Sequence, residues 1–141
     1  MNMFLDGFGA NPAHTVSVSE LFVVAGEGNN VRNVLANVSI SPADAPQLIA
    51  AAAAAYVQDI GDIVDALQAR GVQHILVMDT TNFGLAPSAL CFGAQCSYLG
   101  SLVSASMSAA LAARLAGESG VVNFDFHALL ANTVANGAAW A

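Results

Sequence analysis

Charge is what this chain has least of. Charged residues make up 9% of its 141 residues and hydrophobic ones 56%; three are basic and ten acidic, for a net charge of -7. Without a basic stripe to neutralise phosphates, nucleic acid is excluded as a partner, and nothing in the balance invites an anionic membrane surface. Cysteine is scarce too. Cys91 and Cys96 either close a small-loop disulfide in an oxidising compartment or stay as two buried thiols, so the compartment is left open. Long apolar runs are also missing. The longest, around Leu48 to Val57, is mostly alanine between Gln47 and Gln58, too short and too weakly apolar to span a bilayer. The beginning, MNMFLDGFGANPAH, has neither a basic n-region nor a long apolar h-region, so no signal peptide is readable. There is no internal repeat and no linker, and the length allows one domain over residues 1–141.

What is there is burial-seeking sequence. Leu21 to Ala25, His74 to Met78 and Val121 to Phe124 are short, rich in Val, Ile or Phe, and bounded by Gly, Asn, Asp or Thr, which predicts three buried strands. Between them lie helical patterns. Asp44 with Gln47 three residues on forms a capping-box pattern, and Pro46 falls in the first turn, where its missing N–H costs nothing. Ile49, Ala53, Tyr56, Ile60, Ile63 and Leu67 then mark one apolar face, with Asp59, Asp62 and Asp65 mostly elsewhere. Arg70 suits the C-terminal dipole and Gly71 a left-handed stop. A second helix is expected from about Leu99 to Ala116 and a third from about Phe126 to Val134. Alternating strands and helices imply parallel strands joined by right-handed crossovers, hence a layered α/β sheet. The alanine bias matches helix propensity.

The stretch ELFVVAGEGNNVRNVL, residues 20 to 35, puts a strand, a Gly/Asn turn and a helix in succession, the place where open α/β sheets hold ligands. As a phosphate loop it is poor. Gly26 and Gly28 begin the GxGxxG pattern, but Val31 holds the third glycine position, and no acid ends a second strand about 20 residues on. Glu27 would also point a negative charge at a pyrophosphate. Asn29 and Asn30 offer two other roles. A carboxamide at a strand's C-terminal end can donate to a developing oxyanion, or one of the pair caps a helix beginning near Val31.

VVAGEGNNVRNVL, then ALQARGVQHILVMDTTNFGLAP, then VVNFDFHALLANTVANGAAW, resembles the GDSL or SGNH hydrolases, above all the lecithinase/haemolysin-like branch of esterases and lipases. There the three stretches typically read like VVWGGANDxR, GARxILVxNLPDLGxTP and VxxFDxxxLLxxxxANPxxYG. The order and gaps agree over about residues 20 to 141. The resemblance implies a three-layer fold, a parallel sheet with flanking helices of the flavodoxin-like kind, here incomplete. It implies hydrolysis of small carboxylic esters or lipids by serine attack, with no metal or organic cofactor, in a branch that is usually secreted.

Under that resemblance Asn29 matches the asparagine of the GxND block, an oxyanion-hole donor, and Gly28 the variable position before it. Glu27 stands at the block's glycine and Asn30 at its aspartate, two departures. Asn82 stands where aspartate is common, Gly84 and Pro87 match, and Ser108 stands where the branch often has asparagine. The GDS block of the nucleophile does not occur, and the DxxH block of the base is not found. In Asp125-Phe126-His127 the spacing is one residue short, and Asp125 aligns better with an upstream aspartate at a strand end. His14 and His74 have no partner pattern. Ser17, Ser19, Ser39, Ser88, Ser101, Ser104 and Ser106 lack a strand-turn-helix elbow, and a serine without a base is no nucleophile at neutral pH. In the family the strand beside the one bearing GxND is central. Its loss would leave Leu21 to Val24 as an exposed apolar edge, inviting self-association or a complementing segment. The alternative is a non-catalytic remnant or interaction module of the same fold.

Overall fold

A computed structural model describes residues 17–26 and 28–137. The expectations placed on His14, Glu27 and the first residues lie outside the described residues. The chain runs β1 (Leu21–Val24), α1 (Gly28–Ile40), a 3-10 turn (Pro42–Asp44), α2 (Ala45–Gln68), β2 (His74–Met78), a 3-10 turn (Phe83–Leu85), α3 (Pro87–Cys91), α4 (Ala94–Leu115), β3 (Val121–Phe124) and α5 (Phe126–Ala135). The strands form one parallel sheet in the order β1-β2-β3. Leu21 pairs with His74 and Val24 with Val77; Ile75 pairs with Val121 and Met78 with Phe124. All three strands fall where the hydrophobic runs place them, β1 ending one residue early.

The helices owe their places to burial. On α1, Val31, Val34 and Val38 face inward; on α2, Ile49, Ala53, Tyr56, Ile60, Val64 and Leu67 do. Ile63 is only half-buried, its expected place in the stripe going to Val64. On α4, Val103, Ser104, Met107, Ser108, Leu111 and Leu115 form the buried stripe, and α2 and α4 pack along each other over the sheet. α2 ends in a Schellman closure: the Val72 N–H donates to the Leu67 carbonyl at 3.2 Å and the Gly71 N–H to Gln68 at 2.9 Å. Gly71 takes φ +84°, which only glycine adopts cheaply. Val72 and Leu67 are buried together in the core, the hydrophobic contact such a closure uses.

The capping box of α2 does not form. Asp44 ends the 3-10 turn with φ -94° and ψ 5° and its side chain makes no cap bond, because a capping side chain needs an extended backbone to reach the N–H groups ahead of it. α4 begins at Ala94, five residues before the expected start, and the short α3 precedes it. Gly93, at φ +97°, makes the bend between them.

The sheet has one dry face. Phe22, Val24, Ile75, Val77 and Val121 join the core with the helices. On the other face Leu21 is 62% exposed, Val23 56% and Val122 60%. Topology explains this. Strands laid down in the order 1-2-3 by right-handed crossovers send every crossover helix to the same side. The structure is thus a parallel sheet flanked by helices, and among the described residues the second helical layer of the expected three-layer arrangement is not present. β1 lies at the edge of the described sheet; of the run Leu21 to Val24 expected to be exposed, Leu21 and Val23 are, while Phe22 is half-buried and Val24 is buried.

Among the described residues one helix, Ala94–Leu115, is long and apolar enough by length and composition to cross a membrane, which the tract singled out in the sequence is not. Its Val103, Met107, Leu111 and Leu115 are buried in the core. Cys91 is exposed and Cys96 half-buried, and both are free thiols. Neither the disulfide nor a pair of buried thiols is formed.

Candidate functional site

Parallel strands bring their C-terminal ends to one edge. Ala25 and Gly26 leave β1, Asp79 to Asn82 leave β2, and Asp125 leaves β3. This is the edge where open α/β sheets place ligands.

Gly28 is the first residue of α1, Asn29 the second and Asn30 the third. The expected start near Val31 is therefore three residues late, and neither asparagine caps the helix. Burial of Val31, Val34 and Val38 holds the helix in register, and the first turn tolerates the small and polar residues before them. Asn29 is exposed. Asn30 is half-buried and lines, with Ala25, Gly26, Tyr56 and Asp59, a cavity of about 600 Å³ that follows the open side of β1 down to Ile63 and Leu67. First-turn N–H groups have no intrahelical acceptor, so this helix head and its two carboxamides can donate to an anion or an oxyanion.

After β2 the chemistry is structural. Asp79 is buried, and its Oδ1 accepts the N–H of Phe126 at 2.7 Å and of His127 at 3.0 Å, so a carboxylate from β2 caps α5. Asp125 accepts the next N–H, from Ala128, at 2.7 Å. Together they satisfy the first turn and complement the helix dipole. Sequence reading passed over Asp79; an acid directly after an apolar strand was the signal for it. Gly84, which matches the family pattern, and Asn82, which departs from it, meet α4, and Ser108, another departure, lies on that helix. The Asn82 Oδ1 accepts from Ser101 Oγ at 2.8 Å, the Gly84 carbonyl from Ser97 Oγ at 2.8 Å, and Ser108 Oγ donates to the Thr80 carbonyl at 3.2 Å. Ser104 Oγ receives the Phe83 N–H at 3.1 Å and donates to the Gly100 carbonyl at 2.8 Å. Pro87 lies in the first turn of α3. One face of α4 lashes down the whole loop.

The histidines stand apart from the serines. His74 opens β2, at the opposite edge of the sheet from Asn29. His127 sits in the first turn of α5 with its Nε2 buried and without a partner. No hydrogen bond joins a serine hydroxyl to an imidazole among the described residues. Ser17 and Ser19 bond each other at 3.0 Å, and Ser39 donates to the Ala36 carbonyl at 2.6 Å. Among the described residues no group of three His, Cys, Asp or Glu converges as metal ligands do. Comparison with models of known families finds no match, and comparison with curated proteins finds no similar sequence.

One ionic cluster lies away from this edge. Arg114 on α4 binds Asp65 on α2 at 2.7 Å and Glu118 at 2.5 Å. The Asp65 carboxylate, then that of Glu118, holds its guanidinium above the ordinary arginine range. Gly61 makes room for it, since a Cβ there would lie 3.0 Å from the arginine Nε.

Proposed function

We propose that this chain is part of an SGNH-type carboxylic ester hydrolase, that it supplies the oxyanion side of the site, and that the nucleophile and base come from a segment seated against β1. The observation that supports this best is the side of β1 that no strand pairs among the described residues. The cavity along it ends at Ala25, Gly26 and Asn30, so a further parallel strand there would finish beside the head of α1. A serine at the end of that strand would attack the ester carbonyl, its proton passing to a base. The Asn29 carboxamide and the backbone from Gly28 to Asn30 would donate to the oxyanion. The ester C–O bond would then break, the alcohol leaving with the proton from the base, and water would release the acyl group as the carboxylic acid and restore the serine. The ordered resemblance of the three motif stretches supports the same reading.

The second reading is a non-catalytic interaction module, favoured by the lack of a serine–imidazole contact among the described residues. One experiment separates them. Hydrolysis of p-nitrophenyl butyrate is measured with and without co-expressed sequence carrying both a Gly-Asp-Ser block and an Asp-x-x-His block. Activity on complementation, lost about 10²- to 10³-fold in Asn29→Ala as for removal of an oxyanion donor, is the expected result. Absence of activity in both arms supports the interaction module, and activity that survives Asn29→Ala removes that residue from the site.

A further inference from the structure

The chain has three arginines and no lysine. Arg114 is bound by two carboxylates, and Arg70 donates to the Ala66 carbonyl at 3.2 Å, at the end of α2. Arg32 has no carboxylate or hydrogen-bond partner among the described residues. It stands on α1, one turn before Leu35, and with Leu35, Phe83, Ser88 and Phe92 it lines a cavity of about 540 Å³. Leu35 and Phe92 also line a second cavity of about 350 Å³, which continues past Val38, Pro42 and Leu99. The two share Leu35 and Phe92 as lining residues, so they adjoin: a guanidinium stands in the wall of one, and the other carries on as an apolar groove. Ten acids are spread over this chain, yet among the described residues no acid lines either cavity. Phe92 is 82% exposed at the junction, a large apolar cost for a side chain facing only water.

We propose that this groove binds a single-chain amphiphile with a carboxylate head, the guanidinium of Arg32 taking the carboxylate and the chain lying over Leu35, Phe92 and Leu99. The charge decides the head. In an acidic protein an arginine with no carboxylate partner among the described residues attracts an anion, and its planar fork matches a carboxylate in two parallel hydrogen bonds. The walls decide the tail, since small-molecule sites are mostly apolar with a few fixed polar groups. The groove is separate from the cavity beside β1 and does not depend on the hydrolase reading.

Calorimetric titration of the full chain with decanoate, well below its micellar concentration, tests this. Saturable binding is expected, with octanoate weaker, and 1-decanol and decyltrimethylammonium at least about tenfold weaker, as loss of a charge-assisted pair implies. Arg32→Gln is expected to weaken decanoate about tenfold or more, with Arg32→Lys between it and the wild type. Phe92→Ala is expected to weaken it several-fold, and Arg70→Gln to leave it unchanged. Arg32 and Phe92 are both exposed, so these variants keep the fold, and circular dichroism verifies that. Equal binding by Arg32→Gln, equal binding of the cationic amphiphile, or binding to decanoate-loaded phosphatidylcholine vesicles without binding of the monomer would each overturn the assignment.

Discussion

Small residues and hydroxyls carry the loop after β2. A Cβ at Gly84 would collide with the backbone carbonyl of Ser97 and with Ser101, and a helix backbone cannot retreat as a side chain can. Gly84→Ala is expected to cost about 2–3 kcal/mol as overpacking, seen as a lower denaturant midpoint with an unchanged slope. Gly84 was matched to a family motif in the sequence; the close approach of α4 that requires it was not legible there, because it joins residues more than a dozen positions apart. Thr80 is fully buried with its Oγ1 unpartnered. Removing an unsatisfied buried hydroxyl at nearly constant shape is close to neutral or stabilising, so Thr80→Val is expected to hold or raise the melting temperature. A loss of more than about 1 kcal/mol would mean that the hydroxyl has a partner, such as a bound water.

Among elements, α5 is the one held by a borrowed cap. It has no fully buried residue, so its attachment depends on Asp79 reaching across from β2. Asp79→Ala removes the acceptor of two N–H groups, one from Phe126 and one from His127. It is expected to cost about 2–3 kcal/mol, within the range for charge-assisted bonds. Faster amide exchange at those two residues, ahead of any change in β1, checks it, and Asp79→Asn, which keeps an acceptor, is expected to lose less. α2 has its own local stop. Gly71→Ala forces a side chain into the left-handed region at φ +84°, and a cost of about 1–2 kcal/mol is expected as a melting temperature a few degrees lower. That stop was legible in the sequence because Gly71 and its neighbours are local. The Asp44 capping box was equally local and failed, because the preceding 3-10 turn sets the Asp44 backbone.

At the scale of the molecule, an apolar sheet face and an open strand edge lie together. Leu21 and Val23 on β1, and Val122 on β3, face out from the same side of the sheet. Contiguous exposed apolar surface and unpaired strand edges both favour association, while a net charge of -7 opposes it between copies. Burial is expected to win at tens of micromolar, where light scattering should report species larger than the 14.3 kDa chain. Val23→Thr with Val122→Thr keeps strand propensity and is expected to shift the distribution toward monomer. A wild-type chain that scatters as a clean monomer and melts cooperatively would show that the face is otherwise satisfied.

Strand and helix identity came from the chain alone, since hydrophobic runs and a helical period are local properties that any burial must satisfy. The three strands, the course of α2 and the start of α5 at Phe126 follow from them. Three other features wait for tertiary contacts. α1 starts at Gly28 instead of near Val31, because the burial of three valines extends a helix through residues of weak propensity. Asp79 becomes a cap only when β2 and β3 lie side by side. The crossovers all fall on one face because the strands are laid down in a single direction, and that order, which no residue pattern encodes, leaves β1 at the edge of the described sheet.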